Sequence, residues 1–252
     1  MIDSVRSLSV YANKTVRKDG SLKKEQITRI TNAITSFDFP SIVYDFKHEK
    51  ELVFQTIQEV EAHIRNSLTS NDPVQVKDGL SNIVYWGESR SGYRSFRVGD
   101  FRRRVTAHQL DNATGLFPTL EGTSLREIKK IGLPRFSNMT FVSKIRMFLD
   151  PSNYVVLDLK LMKLGNTTPQ NIFSRMNRQE THMPLTTHNE SCYEEWCTIC
   201  RCAGSQYWDP PKRAVDVERG IYQLVDESHG SGNGLGQIAQ IVNDIETRIK
   251  RR

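Results

Sequence analysis

An all-α fold is predicted for this chain on three observations. Apolar residues recur at three- and four-residue spacing over long stretches, the repeat of a helix with one buried face. Capping and breaking residues (Ser, Asn-Asp-Pro, Asp-Pro, Pro-Pro) fall between those stretches rather than inside them. Alternating β-branched runs are scarce, so strand content should be low.

The elements follow in order. Ser21 is placed to cap a helix over residues 22–35, where Ile27, Ile30 and Ile34 form a stripe. Residues 49–68 are the clearest periodic run, with Leu52, Val53, Ile57, Val60, Ile64 and Leu68 on one face, and Asn71-Asp72-Pro73 breaks it. Residues 77–88 read as a buried helix, Ser91-Gly92 as a turn, and residues 94–110 as helix again. Residues 112–122, holding Gly115, Pro118 and Gly122, read as a loop. Ser124 caps a short helix to Ile131, Gly132-Leu133-Pro134 stops it, and a second helix runs over residues 139–149 to Asp150-Pro151. Tyr154-Val155-Val156-Leu157 is a short apolar approach to Asp158, and residues 162–184 are polar without a clear period. Residues 190–202 and 211–225 predict helices, the latter opened by Pro210 and Pro211. Residues 226–236 (DESHGSGNGLG) read as a flexible connector whose glycines miss the dinucleotide-binding spacing. Residues 237–252 read as a basic terminal helix.

Composition excludes several classes. A hydrophobic fraction of 37% and a charged fraction of 25% describe an ordinary globular chain of 252 residues, not a disordered or fibrous one. No run approaches the roughly 20 apolar residues of a membrane span, and no membrane partner is expected. The first nine residues lack the charged head and apolar core of a secretory signal. All four cysteines fall between Cys192 and Cys202, too close to staple distant segments, which favours a reducing cytoplasm. The net charge of +6, from 35 basic and 29 acidic residues, fits a polyanionic partner.

Four constellations can carry chemistry. Residues 90–104 (RSGYRSFRVGDFRRR) hold six arginines and one acid, a local +5. On a helix from Arg94, the residues Arg94, Arg97, Phe101 and Arg104 share a face that can grip phosphates, or form a solvated face balanced by acids elsewhere. The helix–turn–helix over residues 125–149 presents backbone N–H groups at its second helix, where the dipole favours a phosphate. Asp158, at the end of an apolar segment, is placed for partial desolvation, which strengthens a catalytic carboxylate; it can equally cap the following turn. His182, His188, Cys192, Cys197, Cys200 and Cys202 are potential ligands, but C-x4-C-x2-C-x-C matches no familiar zinc or iron–sulfur pattern. With Tyr193, Trp196 and Ile199 threading them, the cysteines read as small buried hydrophobes, and neither metal nor cofactor is expected.

The segment FVSKIRMFLDPSNYVVLD, from Phe141 to Asp158, resembles the stretch between hairpin and catalytic aspartate in the helix-hairpin-helix DNA glycosylase superfamily, its bacterial 8-oxoguanine-DNA-glycosylase-like branch in particular. LSNIVYWGESRSGYRSFRVGDFRRRVT (residues 80–106) and RAVDVERGIYQL (residues 213–224) are similar to further stretches of that branch. The resemblance implies two helical subdomains flanking a cleft, and a division into an N-terminal region (1–78), a glycosylase-like core (79–225) and a connector with terminal helix (226–252). It implies a monomeric enzyme that flips a damaged or modified base from duplex DNA and cuts its N-glycosidic bond, with Asp158 as the catalytic carboxylate. The divergent N-terminal region leaves room for an unusual base, modified phage DNA included, which would make this a defence enzyme.

Two departures from the family pattern matter. Members that also cleave the backbone carry a lysine nucleophile about eighteen residues before the aspartate; here that count reaches Thr140, with Lys144 one helical turn further on. Water as the nucleophile is therefore favoured over a Lys144 imine. The turn, Gly132-Leu133-Pro134-Arg135-Phe136-Ser137-Asn138, has one glycine; Asn138 can supply a left-handed conformation and Arg135 a phosphate contact. Tyr85, Trp86 and Phe136 are candidates to stack on the extruded base or wedge the gap it leaves, and Arg213 to address DNA or pair with Asp216. A non-catalytic DNA- or RNA-binding module, in which Asp158 only caps, is the main alternative.

Overall fold

The computed structural model describes residues 22–119, 123–167, 171–228 and 232–251. Among them the fold is all-α: eleven α-helices, one 3-10 helix and a single two-stranded hairpin. None of these helices is long and apolar enough to cross a membrane.

Helix α1 (Lys24–Thr35) starts after Lys23, and the expected cap, Ser21, lies outside the described residues. The periodic run at 49–68 is helical only in its second half. Strands β1 (Ile42–Asp45) and β2 (Lys50–Val53) pair antiparallel, Ile42 opposite Val53 and Asp45 opposite Lys50. Helix α2 (Ile57–Leu68) begins at a reciprocal cap, in which the Thr56 hydroxyl accepts from Glu59 N–H and the Glu59 carboxylate from Thr56 N–H. That cap satisfies N–H groups that have no carbonyl of a preceding turn, and so fixes the helix start at this point. Val53, 76% exposed, was never part of the core face. Asn82, buried on α3 (Pro73–Gly87), clamps the hairpin by accepting from Tyr44 N (2.8 Å) and donating to Tyr44 O (3.1 Å).

Asp72 caps α3 and Pro73 occupies its first turn, so the Asn-Asp-Pro that breaks one helix also opens the next. The expected single helix over 94–110 is two, α4 (Arg94–Arg104) and α5 (Ala107–Leu116), because Thr106 caps a new start with Gln109. The loop expected over 112–122 is consequently helical as far as Leu116, and residues 120–122 lie outside the described residues. Helices α6 (Leu125–Lys130) and α7 (Met139–Leu149) form the expected pair, capped by Ser124 and Asn138. A 3-10 helix (Leu161–Asn166) and α8 (Ile172–Arg175) occupy the polar stretch, followed by α9 (Thr187–Tyr207), α10 (Ala214–Glu227) and α11 (Gly232–Lys250). The expected connector is thus helical at both its ends, and residues 229–231 lie outside the described residues.

The helices sort into two packed sets. Helix α3 is the hub of the first, touching α2, α4, α5, α7 and β1; α1, α9 and α11 surround α10 in the second. The boundaries expected at 78/79 and 225/226 fall inside α3 and α10. Glu61 on α2 joins the sets, its buried carboxylate accepting from Arg213 and from Arg219 of α10 (each 2.5 Å). Gly220 lets α1 close on α10: a Cβ there would lie 2.9 Å from Ile30 Cγ2 and 3.1 Å from its carbonyl oxygen. This approach sets the position of the chain that leaves α1.

Candidate active site

Asp158 is held by two helices. Residues 154–158 form neither helix nor strand, and Val155, Val156 and Leu157 are buried. Leu157 N–H donates to Ser143 Oγ of α7 (3.0 Å), and the Tyr193 hydroxyl of α9 donates to Val155 O (2.9 Å). Asp158 stays partly exposed beyond them. Its Oδ1 accepts from Lys160 N–H (2.9 Å) and its carbonyl from Leu161 N–H, so it also opens the following turn. Of the two expected roles, the cap is formed.

Lys144, one turn along α7 from Thr140, is buried and donates from Nζ to Thr140 O (3.1 Å). Burial pushes its amine below the ordinary lysine value, against the opposing charges of Asp158, Glu218 and Glu88. Gly87 makes room for the stem, since a Cβ there would stand 3.1 Å from Lys144 Cε.

Asp158 and Lys144 line one pocket, set between α3, α7, α10 and the segment after α1. Its aromatic wall is Phe37, Phe39, Trp86 and Tyr222. Phe37 and Phe39 stack at 5.9 Å with planes 10° apart, and Phe39 lies 4.2 Å from Trp86. Facing them is Glu218, 3% exposed, with no hydrogen bond to its carboxyl among the described residues. Burial pushes that carboxyl up to about 8, helped by the charge of Asp158 and opposed by those of Arg219 and Lys144. Burial, then the Asp158 charge, also raises the Tyr222 phenol. A planar ring entering here would meet aromatic faces and a proton-bearing acid beside a carboxylate and an amine.

Glu218, Tyr222, Phe37 and Phe39 were missed in the sequence. Glu218 had a signal: it occupies the i+4 place of the apolar stripe Ala214, Val217, Ile221, Leu224, where a charge is costly without a purpose. Phe37 and Phe39 had none, because they reach the pocket only through the packing of α1 on α10.

Of the three aromatic candidates, Trp86 is in the pocket. Tyr85 turns away, its hydroxyl donating to Glu51 and its ring lying under Arg94 at 4.3 Å. Phe136 is core, edge-on to Phe101 at 5.7 Å.

The arginine stretch is paired with its own Asp100 and with four acids from outside it. Arg90 pairs with Asp226, Arg94 with Glu51, Arg97 with Glu88, Arg102 with Asp78, and Arg103 and Arg104 with Asp100. The face expected to present Arg94, Arg97 and Arg104 also carries Phe101, which is fully buried. Arg135 is a third partner of Asp100 (3.0 Å). Burial pushes the Asp100 carboxyl up, but Arg104's hydrogen bond and the charges of Arg135, Arg104 and Arg103 hold it below its ordinary value. Arg213 is held by Asp216 (2.7 Å) and Glu61 as the capping residue just before α10.

The hairpin turn works differently from the expectation. Asn138 is extended (φ −116°) and caps α7 through Phe141 N–H (3.2 Å); the left-handed residues are Gly132 (φ 75°) and Arg135 (φ 71°). Gly132 O accepts from Gln109 of α5 (2.7 Å), and Met139 N–H already donates to Met183 O.

Cys192, Cys197 and Cys200 are buried on α9, and burial pushes the Cys197 thiol up to about 12. No cluster of three or more His, Cys, Asp or Glu side chains able to hold a metal occurs among the described residues. No family model, curated protein or solved structure matches this chain.

Proposed function

We propose that this chain is a DNA glycosylase that draws a damaged or modified base from duplex DNA into the aromatic pocket and hydrolyses its N-glycosidic bond. The observation that supports it is convergence: Asp158, the residue that the resemblance implies as catalytic carboxylate, lines a single pocket with Lys144 and four aromatic rings. Stacking offsets the cost of unpairing a base, a few kcal/mol. As the C1′–N bond breaks, the base leaves with the bonding electron pair and positive charge develops on the sugar. The Asp158 carboxylate stabilises that charge and takes the proton of the water that adds to C1′. Glu218, neutral at pH 7 in this surrounding, hydrogen-bonds the base or supplies the proton it departs with. Lys144 balances the charge of Asp158.

One observation favours a second reading. Burial drives Lys144 toward its neutral, nucleophilic amine, so an imine with C1′ followed by strand cleavage is the alternative chemistry.

The test is a panel of duplexes with different base lesions, and modified phage genomes beside unmodified ones, each treated with alkali to cut abasic sites. Strand breaks should depend on the protein and fall at least 100-fold in Asp158→Asn, the scale of losing one electrostatic stabiliser. Breaks unaffected by Asp158→Asn would remove the catalytic assignment. Borohydride trapping separates the two chemistries, since an adduct that disappears in Lys144→Ala selects the imine.

A further inference from the structure

A second concavity adjoins the pocket and shares Asp158 with it. Leu159, Lys160, Lys163, Arg178, Gln179 and Glu180 line an open groove on the other side of that carboxylate. Lys163 is exposed and has no carboxylate partner among the described residues. Arg178 is also exposed, and its guanidinium donates to Asn166 Oδ1 (2.9 Å) and weakly to Met162 O (3.5 Å), not to an acid. Lys160 is already taken by Asp226 (2.5 Å). Glu180 is the groove's other acid, and it bridges none of these cations.

The contrast with α4 decides where a polyanion would lie. Around α4, the seven arginines 90, 94, 97, 102, 103, 104 and 135 face five carboxylates, those of Asp226, Glu51, Glu88, Asp78 and Asp100. A phosphate arriving there competes with ion pairs already made; at Lys163 and Arg178 it meets no ion pair, only the neutral acceptors of Arg178. The groove also continues toward the hairpin. Gln179 N–H donates to His182 O (2.9 Å), and His182 lines a further concavity with Asn138 and Lys129 at the α6–α7 turn.

We infer that the groove between Lys163 and Arg178 holds the DNA phosphodiester beside the nucleotide whose base occupies the pocket, the backbone then running past His182 to Lys129. This rests on the glycosylase reading, and it moves the main phosphate contacts from α4 to the mouth of the pocket. The geometry is economical: a phosphate fixed on one side of Asp158 and a base fixed on the other place the sugar between them, against the carboxylate.

The test measures binding of a fluorescent duplex carrying one tetrahydrofuran abasic analogue, at several salt concentrations, by anisotropy. Lys163→Ala, Lys163→Glu and Arg178→Ala should each weaken binding about three- to tenfold or more, and each alanine variant should lower the slope of log affinity against log salt by about 1. Arg103→Ala and Arg104→Ala should change neither by as much. Lys163 contacts nothing that folding needs, so its variants read out binding alone, and Arg178→Lys should retain most of the affinity. Unchanged binding in the Lys163 and Arg178 variants, or a larger loss in the α4 variants, overturns the groove and leaves the glycosylase reading intact. A wild-type protein that fails to bind the duplex overturns both.

Discussion

Glu218 is the residue whose chemistry is most altered by its surroundings. Its carboxyl ordinarily titrates near 4.5 and here near 8. Between those values the folded protein keeps a proton that the unfolded chain has released, so stability must fall as pH rises through that window and level off above it. Glu218→Gln keeps the shape and cannot ionise. Its urea or thermal unfolding should lose part of that decline, flattening the difference between pH 5 and pH 8 by on the order of 1–3 kcal/mol. The slope is the readout, because a buried amide brings a cost of its own; superimposable pH profiles for the two proteins would contradict the assignment. Asp158 was legible in the sequence because an apolar run ends on it. Lys144 was legible as a lysine on the same helix face as Thr140, but its burial was not, since Gly87 comes to it from α3 by packing.

At the scale of elements, local signals decided starts more firmly than periodicity decided lengths. Thr56 with Glu59, Thr106 with Gln109 and Ser124 with Glu127 each open a helix by the same reciprocal bonding. Two of these were overlooked, which is why a strand was merged into α2 and two helices were read as one. The α1–α10 contact tests how a close approach shapes the pocket. Gly220→Ala should destabilise the protein by about 1–3 kcal/mol, because a methyl group has no free volume against Ile30 and Ile34. Gly99→Ala, on α4 with open space around it, should be neutral or stabilising by up to about 1 kcal/mol. Equal melting temperatures for the two variants would count against the packing argument. The Gly220 variant should also lose pocket function, since α1 positions Phe37 and Phe39.

For the whole molecule, the pocket lies where the two helix sets meet, so its geometry depends on what joins them. Glu61 is a principal tie, a buried carboxylate between Arg213 and Arg219. Glu61→Ala would leave the buried Arg219 without its acid and Arg213 with Asp216 alone, and should cost about 3–5 kcal/mol. The wild type should unfold in one transition, tryptophan fluorescence and circular dichroism coinciding; two separated transitions would show that the sets are independent and the tie is weak. What this sequence determined by itself was the all-α class, most helix starts, and a catalytic candidate in Asp158, because periodicity, caps and breakers act over a few residues. Tertiary structure alone decided that Arg94, Arg97 and Arg102 of α4 meet Glu51, Glu88 and Asp78, that Phe37 and Phe39 line the pocket with Trp86, and that burial raises the Glu218 carboxyl. Burial and charge pairing depend on which distant segments meet, and that information is spread over the whole chain.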